Sequence, residues 1–198
     1  MAKHARNVTT KVSKASKAPG PSMPSMPSMP SQDQTQSGRL IDYNALGPLA
    51  DSSNLLEVIP QHFAARSNGP LSRHAGELRH EVKFRGVPMV DSFIEQELVL
   101  ASVEFTYSAF MASEDSAVCE VHGAFMVIYG LKMEKSAVSL DLIALFAELH
   151  GMYHAWPYIR ELVGSLVSRM GLSGVFLPVW PPPKRLPPKG EYVVVRAG

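Results

Sequence analysis

The chain has 198 residues, of which 45% are hydrophobic and 8% aromatic, and it contains one cysteine. This length and composition predict one globular domain with a substantial core. A single cysteine excludes a disulfide framework within the chain, and no apolar run is long enough to predict a membrane span. The N-terminus has basic residues without an apolar region after them, so it does not resemble a secretory signal, and a cytoplasmic protein is the simplest interpretation.

Charge is distributed unevenly along the chain. The net charge is +1, but residues 1–40 carry +5 and the remaining residues carry −4. The basic segment contains a tandem Ser-Met-Pro repeat at residues 22–30, in which proline at every third position disfavours helix and favours polyproline II. We predict a disordered leader over 1–40, a globular domain over 41–180 and a Pro-rich tail over 181–198. A solvated leader explains the basic charge without a nucleic-acid partner.

Four segments predict strands. Residues 55–66 are apolar but contain Pro60, which predicts at best an edge strand. Alternation of apolar and polar residues predicts half-buried strands over 78–85, 93–109 and 117–129. Short polar connections between successive strands favour an antiparallel meander. Residues 191–195 fit either a short edge strand or a tail.

Two helices are predicted after these strands. The first begins near Ser136 or Ser139 and has an inner stripe formed by Leu142, Leu145, Phe146 and Leu149. Gly151 permits a bend, Pro157 fits the first position of the second helix, and Gly171 fits its end. The second helix has one continuous apolar face, composed of Ile159, Leu162, Val163, Leu166, Val167 and Met170. A four-stranded antiparallel sheet followed by two helices belongs to the α+β class.

Few residues suggest catalysis. His150 and His154 are spaced i, i+4 as in zinc-binding helices, but the acid that would act as general base between them is missing. Cys119 and His122 lie three apart on a predicted strand, so they point to opposite faces and cannot easily share an ion. The sequence therefore predicts no enzyme, no cofactor and no metal. A small metal-dependent hydrolase that uses His150, His154 and Cys119 is kept as the alternative from another class.

One phrase carries a family resemblance. Trp156-Pro-Tyr-Ile-Arg-Glu161, followed by Ser168-Arg169 and a short apolar tail with a proline, resembles the SecB family of export chaperones. Val118-Cys-Glu-Val121 is similar to the start of a strand in the same family. The resemblance covers roughly residues 55–180, and it implies a SecB-like fold that assembles as a dimer of dimers, a homotetramer.

The resemblance also implies a function. It implies an ATP-independent chaperone, or holdase, that binds unfolded preproteins in apolar grooves and delivers them to SecA and the Sec translocase. Met and aromatic side chains suit such grooves because they adapt their shape and bury large areas. The candidate groove residues are Val127, Tyr129, Phe146, Met152, Tyr153 and Trp156. A chaperone dedicated to the antitoxin of a toxin–antitoxin system is the alternative within the family.

The resemblance further implies a role for two other sets of residues. Val118 and Glu120 would contact SecA, and the apolar helix face from Ile159 to Met170 would pack between dimers. The family also uses acids on its first strand for SecA, whereas the corresponding stretch here is Pro60-Gln-His-Phe-Ala-Ala-Arg66. A Pro-rich tail replaces the family's C-terminal helix.

Overall fold

The computed structural model describes residues 38–68, 78–91, 98–111, 115–133, 138–172, 175–180 and 183–197. The predicted leader therefore lies outside the described residues up to position 37. Nine elements follow in chain order: β1 (Arg39–Leu40), α1 (Tyr43–Ser52), β2 (Ser53–Ser67), β3 (Leu78–Met89), β4 (Leu98–Met111), β5 (Ala117–Leu131), α2 (Leu140–Arg169), β6 (Arg185–Leu186) and β7 (Val193–Ala197).

The α+β class is confirmed, and the main sheet has five antiparallel strands in the order β2-β5-β4-β3-β7. All four predicted strands are present. The fifth is β7, which pairs with β3. The last residues of the segment at 191–195 therefore belong to an edge strand. Val193 and Val195 pack against the core while Val194 and Arg196 are exposed, and this alternation places β7 on a half-buried sheet.

The predicted meander holds for only part of the sheet. Strands β3, β4 and β5 are consecutive neighbours, but β2 pairs with β5 and lies on the side of β5 opposite β4. Two register shifts interrupt the β2–β5 pairing, between Leu55 and Glu57 and between Pro60 and His62. Pro60 is compatible with this position because β2 is an edge strand, as its proline predicted.

The two helices are not the two that were predicted. Helix α1 precedes the sheet, and its N-cap Asp42 accepts hydrogen bonds from the backbone N–H groups of Asn44 and Ala45. The predicted pair after the sheet is instead one helix, α2, which begins after the N-cap Ser139 and continues to Arg169. Gly171, at φ 95°, follows its end as predicted.

The division of α2 into two helices was wrong because buried neighbours hold both weak positions in the helix. Ala155, Trp156 and Ile159 are buried on either side of Pro157. Gly151 does not end the helix but brings it close to β4, since a Cβ built there would lie 2.7 Å from the Cβ of Ala101. Packing against the sheet therefore outweighs the local tendency of glycine and proline to end a helix.

The core lies between α2 and the inner face of the sheet. Helix α2 packs mainly on β3, β4 and β5 and contacts β2 very little. Fully buried side chains that fill this layer include Tyr107, Tyr129, Phe84, Phe146, Ile143, Met152 and Ile159. A consequence is that β2 is exposed over nearly its whole length.

Gly151→Ala tests the close contact between α2 and β4. We expect the free energy of unfolding to fall by about 1–3 kcal/mol, because the added methyl group meets Ala101 in a packed layer. The matched control is Gly164→Ala in the same helix, where nothing lies within 4 Å of the added Cβ. The control should raise stability by up to about 1 kcal/mol through helix propensity. Urea denaturation measures both changes, and equal effects at the two positions would contradict the packing assignment.

Candidate functional site

A cleft of about 470 Å³ lies between the middle of α2 and the segment at residues 175–180. Aromatic rings dominate its walls, and they belong to Tyr153, Trp156, Tyr158 and Trp180. Tyr153 and Tyr158 are each 46% exposed, whereas Trp156 and Trp180 are buried at the floor. Leu55 of β2 and Val179 add further exposed apolar surface.

The segment at 175–180 lies against α2 without forming helix or strand. The indole N–H of Trp156 donates to the carbonyl oxygen of Pro178 at 3.0 Å, and Nε of Arg160 donates to that of Leu177 at 2.9 Å. Leu177 and Trp180 are buried, whereas Phe176 and Val179 are 84% and 73% exposed. Side chains of α2 thus hold this segment by two of its backbone carbonyls, while Phe176 and Val179, three residues apart, face solvent.

Aromatic contacts join this segment to the core. The ring of Phe84 on β3 stacks on Trp156 with centroids 4.8 Å apart, and Trp180 meets the same Phe84 ring edge-on at 5.0 Å. Such pairs stabilise a packed arrangement beyond the apolar area that they bury. The floor of the cleft is therefore packed into the core, and its exposed parts are the tyrosine rings and Val179.

The predicted groove residues divide into two groups. Tyr153 and Trp156 line the cleft. Val127, Tyr129, Phe146 and Met152 are buried in the core between the sheet and α2, and they do not line it. Their role in binding stays a prediction. Leu55, Tyr158 and Val179 line the cleft without having been predicted, because they come from three separate segments of the sequence.

The predicted oligomer face is also divided. Ile159, Val163 and Val167 are buried in the core of the chain itself. The other three, Leu162, Leu166 and Met170, are half-buried and keep some surface. Only this second set retains area for a partner in the described structure.

The two residues that the resemblance assigns to SecA contact lie in different environments. Val118 is buried, because the pairing of β4 with β5 is irregular next to it and turns its side chain inward. Glu120 lies on the outer face of the sheet, where it forms an ion pair with Arg66 of β2. Two other glutamates on this face are also paired. Glu81 forms ion pairs with Lys83 and Arg196, and Glu104 forms one with Arg85.

A cluster of titratable rings lies beside the cleft, behind Tyr153. The Tyr129 hydroxyl lies 2.7 Å from Nδ1 of His154, and the His150 ring stacks on Phe146 with centroids 4.4 Å apart. Burial, with a smaller effect of His154, lowers the pKa of His150 to about 4. Burial also lowers the pKa of His154, against a hydrogen bond to the backbone of His150 that raises it. Both rings are therefore neutral near pH 7.

The catalytic alternative gains no support from the described residues. Among them, no three His, Cys, Asp or Glu side chains form a group that could hold a metal ion. Burial, together with the charge of Glu120, raises the pKa of Cys119 to about 11, so the thiol is protonated and a poor nucleophile at neutral pH.

Comparison with other proteins was made at three levels. No family model matches the chain, and no curated protein matches it. Among solved structures, the chain is similar to a SecB-like chaperone of Mycobacterium tuberculosis in complex with a ChAD peptide from the HigA1 antitoxin. The TM-score is 0.58 at 17% sequence identity, and the match covers 71% of this chain and 99% of that chain.

The chain has the SecB-like fold. The resemblance found in the sequence is therefore confirmed at the level of the fold, including the sheet and the long helix that follows it. This SecB-like domain contains, among its described residues, no helix that is both long and apolar enough to cross a membrane.

The buried histidine predicts a pH dependence of stability. Because the pKa of His150 falls from 6.5 in the unfolded chain to about 4 in the folded chain, the unfolded state binds more protons between these values. The free energy of unfolding should therefore decrease as the pH falls from 6.5 towards 4. His80 and His154, whose pKa values burial also lowers, contribute in the same direction.

His150→Phe keeps a ring against Phe146 and removes the titrating group. Denaturation at pH 7 and at pH 5 should show a smaller loss of stability in this variant than in the unmodified protein. An equal loss in both proteins would show that His150 does not contribute to the acid sensitivity.

Proposed function

We propose that the protein is an ATP-independent chaperone that binds unfolded polypeptide segments. The single observation that carries this proposal is the aromatic cleft, which lies next to a segment that α2 holds by two carbonyl oxygens. Apolar and aromatic walls accept many different side chains, so binding to them depends little on the client's sequence. A surface of this kind suits binding rather than chemistry.

The exposed walls of the cleft define the contacts to a client. Tyr153 and Tyr158 supply large rings with few rotatable bonds, so their ordering costs little entropy. Leu55 and Val179 supply exposed aliphatic surface. The predicted groove residues Tyr153 and Trp156 keep their proposed role here, with Val127, Tyr129, Phe146 and Met152 as the packed support beneath them.

A chaperone dedicated to an antitoxin is the second candidate, and two observations favour it over delivery to SecA. The solved Mycobacterium chaperone of similar fold is in complex with an antitoxin peptide. In addition, the acid that the resemblance assigns to SecA contact, Glu120, is neutralised by Arg66. A face whose glutamates pair with arginines offers little net negative charge to a basic partner.

Removal of the two exposed rings tests the chaperone proposal. Tyr153→Ser with Tyr158→Ser should weaken binding of an unfolded reference peptide at least tenfold, because each buried ring contributes about 1.5–3 kcal/mol. Suppression of client aggregation should weaken in parallel. Both activities should need no ATP and should survive a chelator. Fluorescence anisotropy and light scattering measure the two effects.

The matched control is Tyr192→Ser. Tyr192 is 39% exposed, but it lies on the opposite face of the sheet against Arg85 and Glu104. The Tyr192→Ser variant should therefore bind the reference peptide and suppress aggregation like the unmodified protein. A loss as large as that of the double variant would show that general surface apolarity, and not the cleft, holds clients.

We also propose that the chain assembles as a dimer of dimers. Strand β2 forms one edge of the sheet, and Leu56, Ile59 and Phe63 leave it with large exposed apolar side chains. Exposed edge strands with apolar side chains tend to pair with another chain. The half-buried Leu162, Leu166 and Met170 supply a second surface on α2.

Light scattering tests the assembly. We expect a mass near four times 21.6 kDa at micromolar concentration. Leu56→Lys with Ile59→Lys should reduce the mass, because like charges would face each other across the β2 interface. Val194→Lys on the other edge strand, where the side chain is similarly exposed, should not change it. A monomer mass for the unmodified protein would reject the proposal.

A further inference from the structure

The cleft has the chemistry of a site for a proline-rich segment. Its walls combine the exposed rings of Tyr153 and Tyr158 with Pro157, and its floor is formed by two indoles. Grooves lined by aromatic side chains bind polyproline II segments, because the flat rings accept proline rings and the segment is already extended. The cleft is also apolar enough to accept thioether side chains, which make favourable contacts with aromatic rings.

The chain itself contains a segment of matching chemistry. The Ser-Met-Pro repeat at residues 22–30 places proline at every third position and methionine between the prolines. Polyproline II has three residues per turn, so this spacing aligns the prolines along one edge and the methionines along another. The proposed chaperone function does not account for this repeat.

The described structure begins beside the helix that carries the cleft. Nη2 of Arg39 lies 2.5 Å from Oε1 of the buried Glu148 on α2, so the chain leaves the domain beside this helix. Tyr153 is five residues further along α2, which corresponds to about 8 Å of helix axis. Eight residues separate Pro30 from Arg39, and they can span up to about 26–29 Å. The repeat can therefore reach the cleft of its own chain.

Charge favours the same contact. Residues 1–37 carry +4, whereas residues 41–198 carry −4. At the cleft, Glu161 is exposed and forms no ion pair with any described residue. A basic segment tethered close to an acidic body is attracted to it, and an unpaired carboxylate beside the cleft gives that attraction a local target.

We propose that the Ser-Met-Pro repeat binds in the cleft of its own chain and competes there with unfolded clients. This inference rests on the proposed chaperone function, because it names a regulator of the same site. The repeat holds the cleft until a client with stronger apolar contacts displaces it. Binding to a cleft that is free in only a fraction of molecules is weaker by that fraction.

The test uses the full-length protein and a triple variant, Met23→Ser, Met26→Ser and Met29→Ser, which leaves the folded domain and all charges unchanged. The affinity for a fluorescently labelled unfolded reference peptide should become roughly three- to tenfold tighter in this variant, as expected if the cleft is free in a third to a tenth of unmodified molecules. The matched control is Val8→Ser with Val12→Ser, which removes apolar side chains from the same segment outside the repeat. The control should bind the reference peptide like the unmodified protein.

Intrinsic fluorescence gives a second readout that needs no client. The chain has two tryptophans, Trp156 and Trp180, and both line the cleft. A synthetic peptide with the sequence of residues 20–32 should change the tryptophan emission of the triple variant more than that of the unmodified protein, in which the cleft is occupied. Equal client affinities together with equal emission responses would overturn the inference. A tighter affinity that appears only at high protein concentration would overturn docking within one chain.

The two proposals fail in different ways. If neither protein binds the reference peptide but the repeat peptide still changes the tryptophan emission of the triple variant, the chaperone function falls and the docking of the repeat stands. If both proteins bind the reference peptide with equal affinity, the chaperone function stands and the competition falls.

Discussion

The close packing of one helix on one sheet is the constraint on which the rest of this structure depends. Two glycines make it possible. A Cβ at Gly151 of α2 would lie 2.7 Å from Ala101, and a Cβ at Gly86 of β3 would lie 2.5 Å from the carbonyl oxygen of Glu148. At both points the backbone of one element meets the other directly, so a side chain at either position would push α2 away from the sheet. Its position sets where every other side chain of the helix points.

This fixed helix connects the core to the surface features. Its inner face is buried on β3, β4 and β5, while one flank carries the cleft. Trp156 belongs to both, since its ring stacks on Phe84 and its N–H donates to the carbonyl of Pro178. One turn before the cleft, the buried Glu148 pairs with Arg39 and holds β1 beside the helix. Loss of the ion pair would leave a buried carboxylate without its partner, which is costly.

Charged and apolar side chains occupy different parts of the surface. On the outer face, Glu81, Glu104 and Glu120 each pair with a basic side chain of a neighbouring strand, so the charges balance locally. Exposed apolar side chains line the cleft and follow β2. The paired charges of the outer face therefore offer little net charge to a partner, whereas the cleft and β2 offer exposed apolar surface.

The sequence by itself determined the strands, the end of α2 and the fold family. Alternation identified β3, β4 and β5 because a half-buried strand must alternate, and Trp156 to Glu161 carried the SecB resemblance. Only the tertiary structure decided that α2 continues through Gly151 and Pro157, since both residues favour an interruption locally and only buried neighbours on each side prevent it. Tertiary structure also decided that β2 pairs with β5 and which residues line the cleft. An apolar stripe looks alike whether it faces the chain's own core or a partner, and Leu55, Tyr158 and Val179 meet only after folding, so no local pattern could identify them.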